Sequence, residues 1–198
     1  MLKVDFWPFF PARRFTFMTT KFPAAICSLF LLTAAVALGA DRDVIINEVM
    51  YHPPEQLEEL QYIELFNRSS NSVSLENWAF TKGVRFTFPK GSNLGPGEFL
   101  VVTRNATALK KTYGAIPIVG DFSGKLSHKK DRLELVSSGK ELVDWVEYQD
   151  HGEWPAAPDG YSSSLERISP SDPSELPENW ASSRLPAFVS LGGTPGKR

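Results

Sequence analysis

The sequence predicts an all-β protein, an antiparallel β-sandwich or barrel that carries one short helix. Three observations lead there. Residues 62–102, YIELFNRSSNSVSLENWAFTKGVRFTFPKGSNLGPGEFLVV, alternate apolar and polar side chains, the period of strands that turn one face toward a core. Clusters of turn-forming residues at 67–71, at Lys82-Gly83 and at Gly95-Pro96-Gly97 cut that run into short pieces. Helix signals are confined to ATALKKTYG, where Asn105 offers a cap and Gly114 a stop. Short strands at this spacing belong to sandwiches and barrels.

The first strand is VIINEVM, residues 44–50. Tyr51-His52-Pro53-Pro54 and the acidic residues 55–59 cannot continue a central strand and read as a solvated loop. In the second strand, YIELF, Ile63 and Leu65 point one way and Tyr62, Glu64 and Phe66 the other, so one face is expected to seek a core. VSLENWAF, residues 73–80, reads as a third strand with Trp78 as the core anchor. Val84, Phe86 and Phe88 alternate with Arg85 and Thr87 in a half-buried strand that Pro89 stops. EFLVVT, residues 98–103, is apolar enough for an interior strand, while 116–119 reads as an edge strand because Pro117 interrupts its donors. Residues 132–136 and 141–148 flank Ser137-Ser138-Gly139-Lys140, a hairpin signal with Gly139 available for a positive φ. After Asp150 the chain is rich in Pro, Ser and acidic residues. Only SLERI, residues 164–168, reads as a strand there; Trp154 and Trp180 are expected to pin the loops, and GGTPGKR reads as a flexible end.

A chain of 198 residues with 42% hydrophobic content supports one domain with a substantial core. Residues 1–40 stand apart from it. Lys21, the apolar run FPAAICSLFLLTAAVALGA and its small-residue end have the layout of a secretory signal peptide, with cleavage after Gly39 or Ala40 and Met18 as a second candidate start. A retained anchor is the competing reading of an apolar run of this length. The globular domain is therefore expected over 41–198, outside the cell or in its envelope, with membrane contact only through the leader. Cys27, the sole cysteine, lies in the leader, so the domain has neither disulfide nor thiol chemistry. Setting aside Lys3, Arg13, Arg14, Lys21 and Asp5 leaves 17 basic against 22 acidic residues, a net charge of −5 that opposes general nucleic-acid affinity.

The ordered segments resemble a known family. YIELFNRSSNSVSLENWAF followed by FTFPKGSNLGPGEFLVVT resembles the core signature of the lamin tail domain. VIINEVMYHP, GDFSGKLSHKKDRLELVSSGKELVDWVEY, DGYSSSLERISPSDP and GGTPGKR extend the likeness to its bacterial, secreted branch over about residues 44–198. The resemblance implies an immunoglobulin-like antiparallel β-sandwich. Relatives commonly carry the domain inside longer secreted proteins, and nothing is transferred here from their neighbouring domains.

No catalytic, cofactor-binding or metal-ligating residue is expected. His52, His128 and His151 fall in loops and fit no metal-ligand spacing, and there is no GxSxG, Walker or dinucleotide motif. Asp41, Asp43, Glu48, Glu55, Glu58 and Glu59 crowd the start of the domain, and Asp150, Glu153 and Asp159 form a weaker group; both read as solvated charge rather than a calcium site. The expected function is a secreted, non-catalytic interaction module for a protein, glycan or cell-envelope partner. Two alternatives stand beside it. Lys110, Lys111, Lys125, Lys129, Lys130 and Arg132 form a basic cluster over residues 110–132, and the association of some lamin tails with DNA makes nucleic acid the alternative ligand; Tyr113 and Phe122 are its only interleaved aromatics. A metal-dependent hydrolase accessory would draw on the acidic segment and a histidine.

Overall fold

The computed structural model describes residues 42–185 and 191–197. The leader expected at 1–40 lies outside them, as does Asp41. In chain order the elements are β1 (Val44–Met50), a 3-10 segment (Glu55–Leu60), β2 (Tyr62–Asn67), β3 (Val73–Ser74), β4 (Ala79–Lys82), β5 (Phe86–Thr87), β6 (Asn93–Leu94) and β7 (Phe99–Thr103). There follow α1 (Ala106–Tyr113), β8 (Ile118–Asp121), β9 (Lys130–Val136), β10 (Leu142–Gln149), β11 (Leu165–Arg167), a 3-10 turn (Pro177–Asn179) and β12 (Trp180–Ser182). They build a six-stranded sheet, β12-β11-β1-β2-β7-β8, a four-stranded sheet, β10-β9-β4-β5, and a two-stranded ribbon, β3-β6.

The two large sheets enclose the main core. Ile46, Val49, Ile63, Leu65 and Val102 come from the larger sheet, and Phe80, Leu133, Leu135, Val146 and Tyr148 from the smaller, all in one buried cluster. The alternation expected for 84–88 is present: Val84 and Phe88 are buried and Phe86 is partly buried against the same cluster. Trp78 is 3% exposed within it. Trp154 and Trp180 lie 6.4 Å apart in that core and pin the chain beyond Asp150.

Several expectations are corrected. Strand 73–80 is two strands, because Asn77 takes φ 62° and Trp78 N–H donates to Leu75 O, a turn that a left-handed Asn accepts readily. Trp78 therefore anchors the core from a turn. The loop 55–59 contains 3-10 helix, and its Leu60 is buried. The strand at 116–119 begins two residues later and runs parallel to β7, because α1 provides the crossover that a parallel pair needs. In the β9–β10 hairpin the positive φ falls on Lys140, at 64°, rather than on Gly139. β6 and β12 had no strand signal of their own.

The largest correction concerns β2, which is buried on both faces. Tyr62 joins Met50, Leu60, Val101, Leu109 and Leu191 in a second cluster on the far side of the six-stranded sheet. The segment read as a flexible end helps to build it: Leu191 is buried, Thr194 N–H donates to Glu48, and Gly196 N–H donates to Glu64.

Both seams between the large sheets are stitched by polar contacts. Asp144 of β10 accepts from Ile46 N–H of β1 at 2.8 Å and from Arg167 of β11 at 2.8 Å, while Ser174 donates to its other oxygen at 2.9 Å. At the opposite seam Arg85 and Ser123 exchange backbone hydrogen bonds of 3.0 and 2.9 Å. Two outcomes follow. Trp78→Ala should lower unfolding free energy by about 3–5 kcal/mol in urea denaturation, the cost of removing a large buried ring. Asp144→Ala should cost about 3–5 kcal/mol, because it leaves the Arg167 guanidinium buried without its counter-charge. Unchanged midpoints would contradict these assignments.

Candidate interaction surface

The histidines read as separate loop residues are not all separate. His52 and His128, 76 positions apart, stack with ring centroids 3.8 Å apart and 12° between planes. His52 Nδ1 lies 2.6 Å from Asp159 Oδ1, and His128 Nε2 lies 3.7 Å from Glu58 Oε1. Glu58 in turn accepts from Arg104 at 3.0 Å, a bond that holds its carboxyl below the usual range, with Lys125 adding to the effect. Burial, and then the neighbouring His52, push the His128 imidazole down. Parallel stacked rings aim their nitrogen lone pairs along separate planes, which suits a ring pair better than a shared metal ion. Among the described residues no group of three or more His, Cys, Asp or Glu is placed to hold a metal. His151 stays apart and exposed, 2.5 Å from Asp150.

The acidic residues do not form one loop cluster either. Asp43 and Glu58 lie near the surface, but Glu48 is 1% exposed inside β1, where Tyr62 and Ser164 hydroxyls donate to it. Burial pushes Glu48 up to about 7 and Glu64 up to about 8. Glu48 is thus a buried acid and not the solvated charge expected from the sequence.

The basic residues separate by element. Lys110 and Lys111 occupy the last turn of α1, where they also suit the helix dipole, whereas Lys130 and Arg132 stand on β9 of the four-stranded sheet. Lys130 pairs with Glu147 at 2.5 Å; Arg132 pairs with Glu134 at 2.7 Å and lies 3.9 Å over the Trp145 ring. Lys82 shares Glu134 at 3.1 Å. Phe122 is buried and Tyr113 packs into the second core, its hydroxyl on Gly192 O at 2.6 Å. Neither aromatic is free to stack on a base.

A further hollow has no counterpart in the sequence reading. A cavity of about 310 Å³ opens where β10 meets the 170–175 loop, bordered by Arg42, Ile45, Arg68, Val143 and Trp145. Arg68 and Ser171 also border a neighbouring hollow with Asp43, Phe66 and Gly97, so the two form one trench. Arg167 and Asp144 pair with one another among its lining residues; Arg42 and Arg68 are exposed, Arg68 donating to Pro170 O at 2.6 Å, and Asp43, Asp172 and Glu175 complete the charged lining. Its residues come from segments far apart in the chain, so no local motif announces it.

The stacked pair has a measurable consequence. A histidine depressed in the folded state stabilises the fold above its ordinary value of 6.5 and loses that contribution as pH falls through its folded value. Imidazole NMR should give His128 a midpoint below 6.5, moving upward in His52→Ala. A midpoint at or above 6.5 would contradict the packing described.

Comparison with known proteins agrees with this architecture. Among curated proteins nothing matches the chain. Residues 39–150, more than half of it, match the family model of the Lamin Tail Domain, which covers the strands from β1 to β10 and stops before β11 and β12. An immunoglobulin-like β-sandwich whose strands fall in that order over the matched residues places the chain in the lamin tail domain family.

Proposed function

We propose that this chain is a secreted, non-catalytic interaction module of the bacterial branch of its family, and that it receives an acidic protein segment or glycan in the trench bordered by Arg42 and Arg68. The observation that carries the reading is the trench itself: the exposed guanidinium groups of Arg42 and Arg68 stand beside Ile45 and Val143, Arg167 and Asp144 are paired with one another, and Asp43, Asp172 and Glu175 are the acidic residues that a ligand must pass. Guanidinium groups recognise carboxylates and sulfates through forked hydrogen bonds. Membership in an immunoglobulin-like, non-enzymatic family supports a binding rather than a catalytic role. Export is supported by Lys21 and the apolar run of residues 22–40.

Nucleic acid remains the alternative, and the Glu134 and Glu147 partners of Lys82, Lys130 and Arg132 argue against it, since phosphates would have to displace them. Titration of the protein with acidic oligosaccharides and acidic peptides should show binding that falls about tenfold or more in Arg42→Ala/Arg68→Ala, a loss of the size expected for a charge-assisted pair. Lys129→Ala/Lys130→Ala should leave it intact. The reverse pattern, with DNA affinity that declines steeply with salt and loses slope in the lysine variant, would replace the trench with the basic cluster.

A further inference from the structure

Asp159-Gly160 places a carboxyl group next to the backbone nitrogen that a side chain shields least. Such a pair can react with itself. The Gly160 nitrogen attacks Asp159 Cγ, the N–C bond closes a five-membered succinimide, and the N–H proton leaves with the hydroxyl of the protonated carboxyl as water. Water then opens the ring at one of its two carbonyls. Attack at the side-chain carbonyl restores aspartate; attack at the main-chain carbonyl gives isoaspartate, whose backbone runs through the former side chain. The cycle consumes no oxidant and no cofactor.

Both reacting groups are held by one residue. His52 Nδ1 lies 2.6 Å from Asp159 Oδ1, and His52 O accepts the Gly160 N–H at 3.1 Å. Among the described residues neither the Asp159 carboxyl nor the Gly160 N–H bonds to another group. The ring is itself confined. It stacks on His128 at 3.8 Å, and Gly160 packs on it so closely that a Cβ there would lie 3.3 Å from its Cε1. Gly160 also has φ 78°, a backbone conformation that favours glycine, so the fold keeps this nitrogen unshielded. Asp159 is 33% exposed at its side chain, which lets water reach the reacting carboxyl.

We propose that Asp159-Gly160 is a self-modification site that His52 holds unreactive, and that it converts to isoaspartate when this hold is lost. Ring closure needs Cγ to swing onto the nitrogen while the nitrogen gives up its proton. The two bonds to His52 oppose one movement each, keeping the pair away from attack geometry. Conversion is also hard to reverse in place. Isoaspartate lengthens the backbone by one atom at the bridge that pairs His52 with Asp159, so that bridge cannot re-form in its native register.

Incubating the whole protein in oxygen-18 water at neutral pH tests the site. Each succinimide opened by solvent leaves one heavy oxygen in the peptide containing Asp159, and fragmentation of that peptide reads isoaspartate. His52→Ala should accumulate it about tenfold or more faster than the native protein, the ratio expected for losing a hydrogen bond to a charged group. His52→Leu, which keeps bulk and removes the donor, serves if the alanine variant does not fold; protection of the Val146 amide reports folding. His52→Asn, whose amide nitrogen can stand where Nδ1 does, should return the rate toward the native one, a rescue that general loosening of the loop would not produce. Three results would overturn the proposal: equal rates in the native protein and the alanine or leucine variant, an asparagine variant as fast as those, or a native rate matching that of the urea-unfolded chain.

Discussion

The contact on which the rest of the architecture depends is the one from Asp144 to β1 and β11. β11 pairs with β1 at Glu48 and Val49, which leaves the Ile46 backbone without a strand partner on that side. Asp144 takes the Ile46 N–H, and Arg167 reaches Ile46 O at 3.4 Å while paired to Asp144. An ion pair this enclosed gains little net stability over a hydrophobic substitute, but removing one partner is expensive. Its structural value lies in specificity: it fixes which edge of the four-stranded sheet lies over which part of the six-stranded one. The Arg85–Ser123 bridge performs the matching task at the opposite seam with backbone groups alone.

Because the seams are held by polar groups, the apolar residues are free to fill two separate layers. One is the familiar interior of a sandwich, from Ile46 and Ile63 on one side to Leu133 and Val146 on the other. The other, around Met50, Tyr62 and Leu109, exists because α1 and the C-terminal segment cover the outer face of β1, β2 and β7. That outer layer is where ionisable groups end up buried. The binding trench, by contrast, opens at the seam, beside the 170–175 loop.

Local signals carried the strands whose pattern is self-contained. Alternation in 84–88, the apolar run of 98–103, the Asn105 cap and the hairpin of β9 and β10 all appear where the residues place them, because each depends on neighbours in sequence. What escaped depended on distant partners. Glu48 and Glu64 look like surface acids until Ser164 and Gly196, more than a hundred positions away, cover them. His52 and His128 meet only through folding. β12 is a strand because β11 lies beside it, not because Trp180-Ala181-Ser182 has a strand pattern. The split of 73–80 was the one local miss with a visible cue, since Asn77 is a residue that readily turns left-handed.

The family match ends at residue 150, yet β11 pairs with β1 at Glu48 and Val49, deep in the larger sheet. A fragment cut at that boundary would retain most of the strands and lose β11, a neighbour of the largely buried β1. β1 would become an open border, with unpaired N–H and C=O groups where β11 now lies beside Glu48 and Val49. Such a border templates self-association, so the tail beyond the family boundary acts as this fold's built-in protection against assembling with copies of itself.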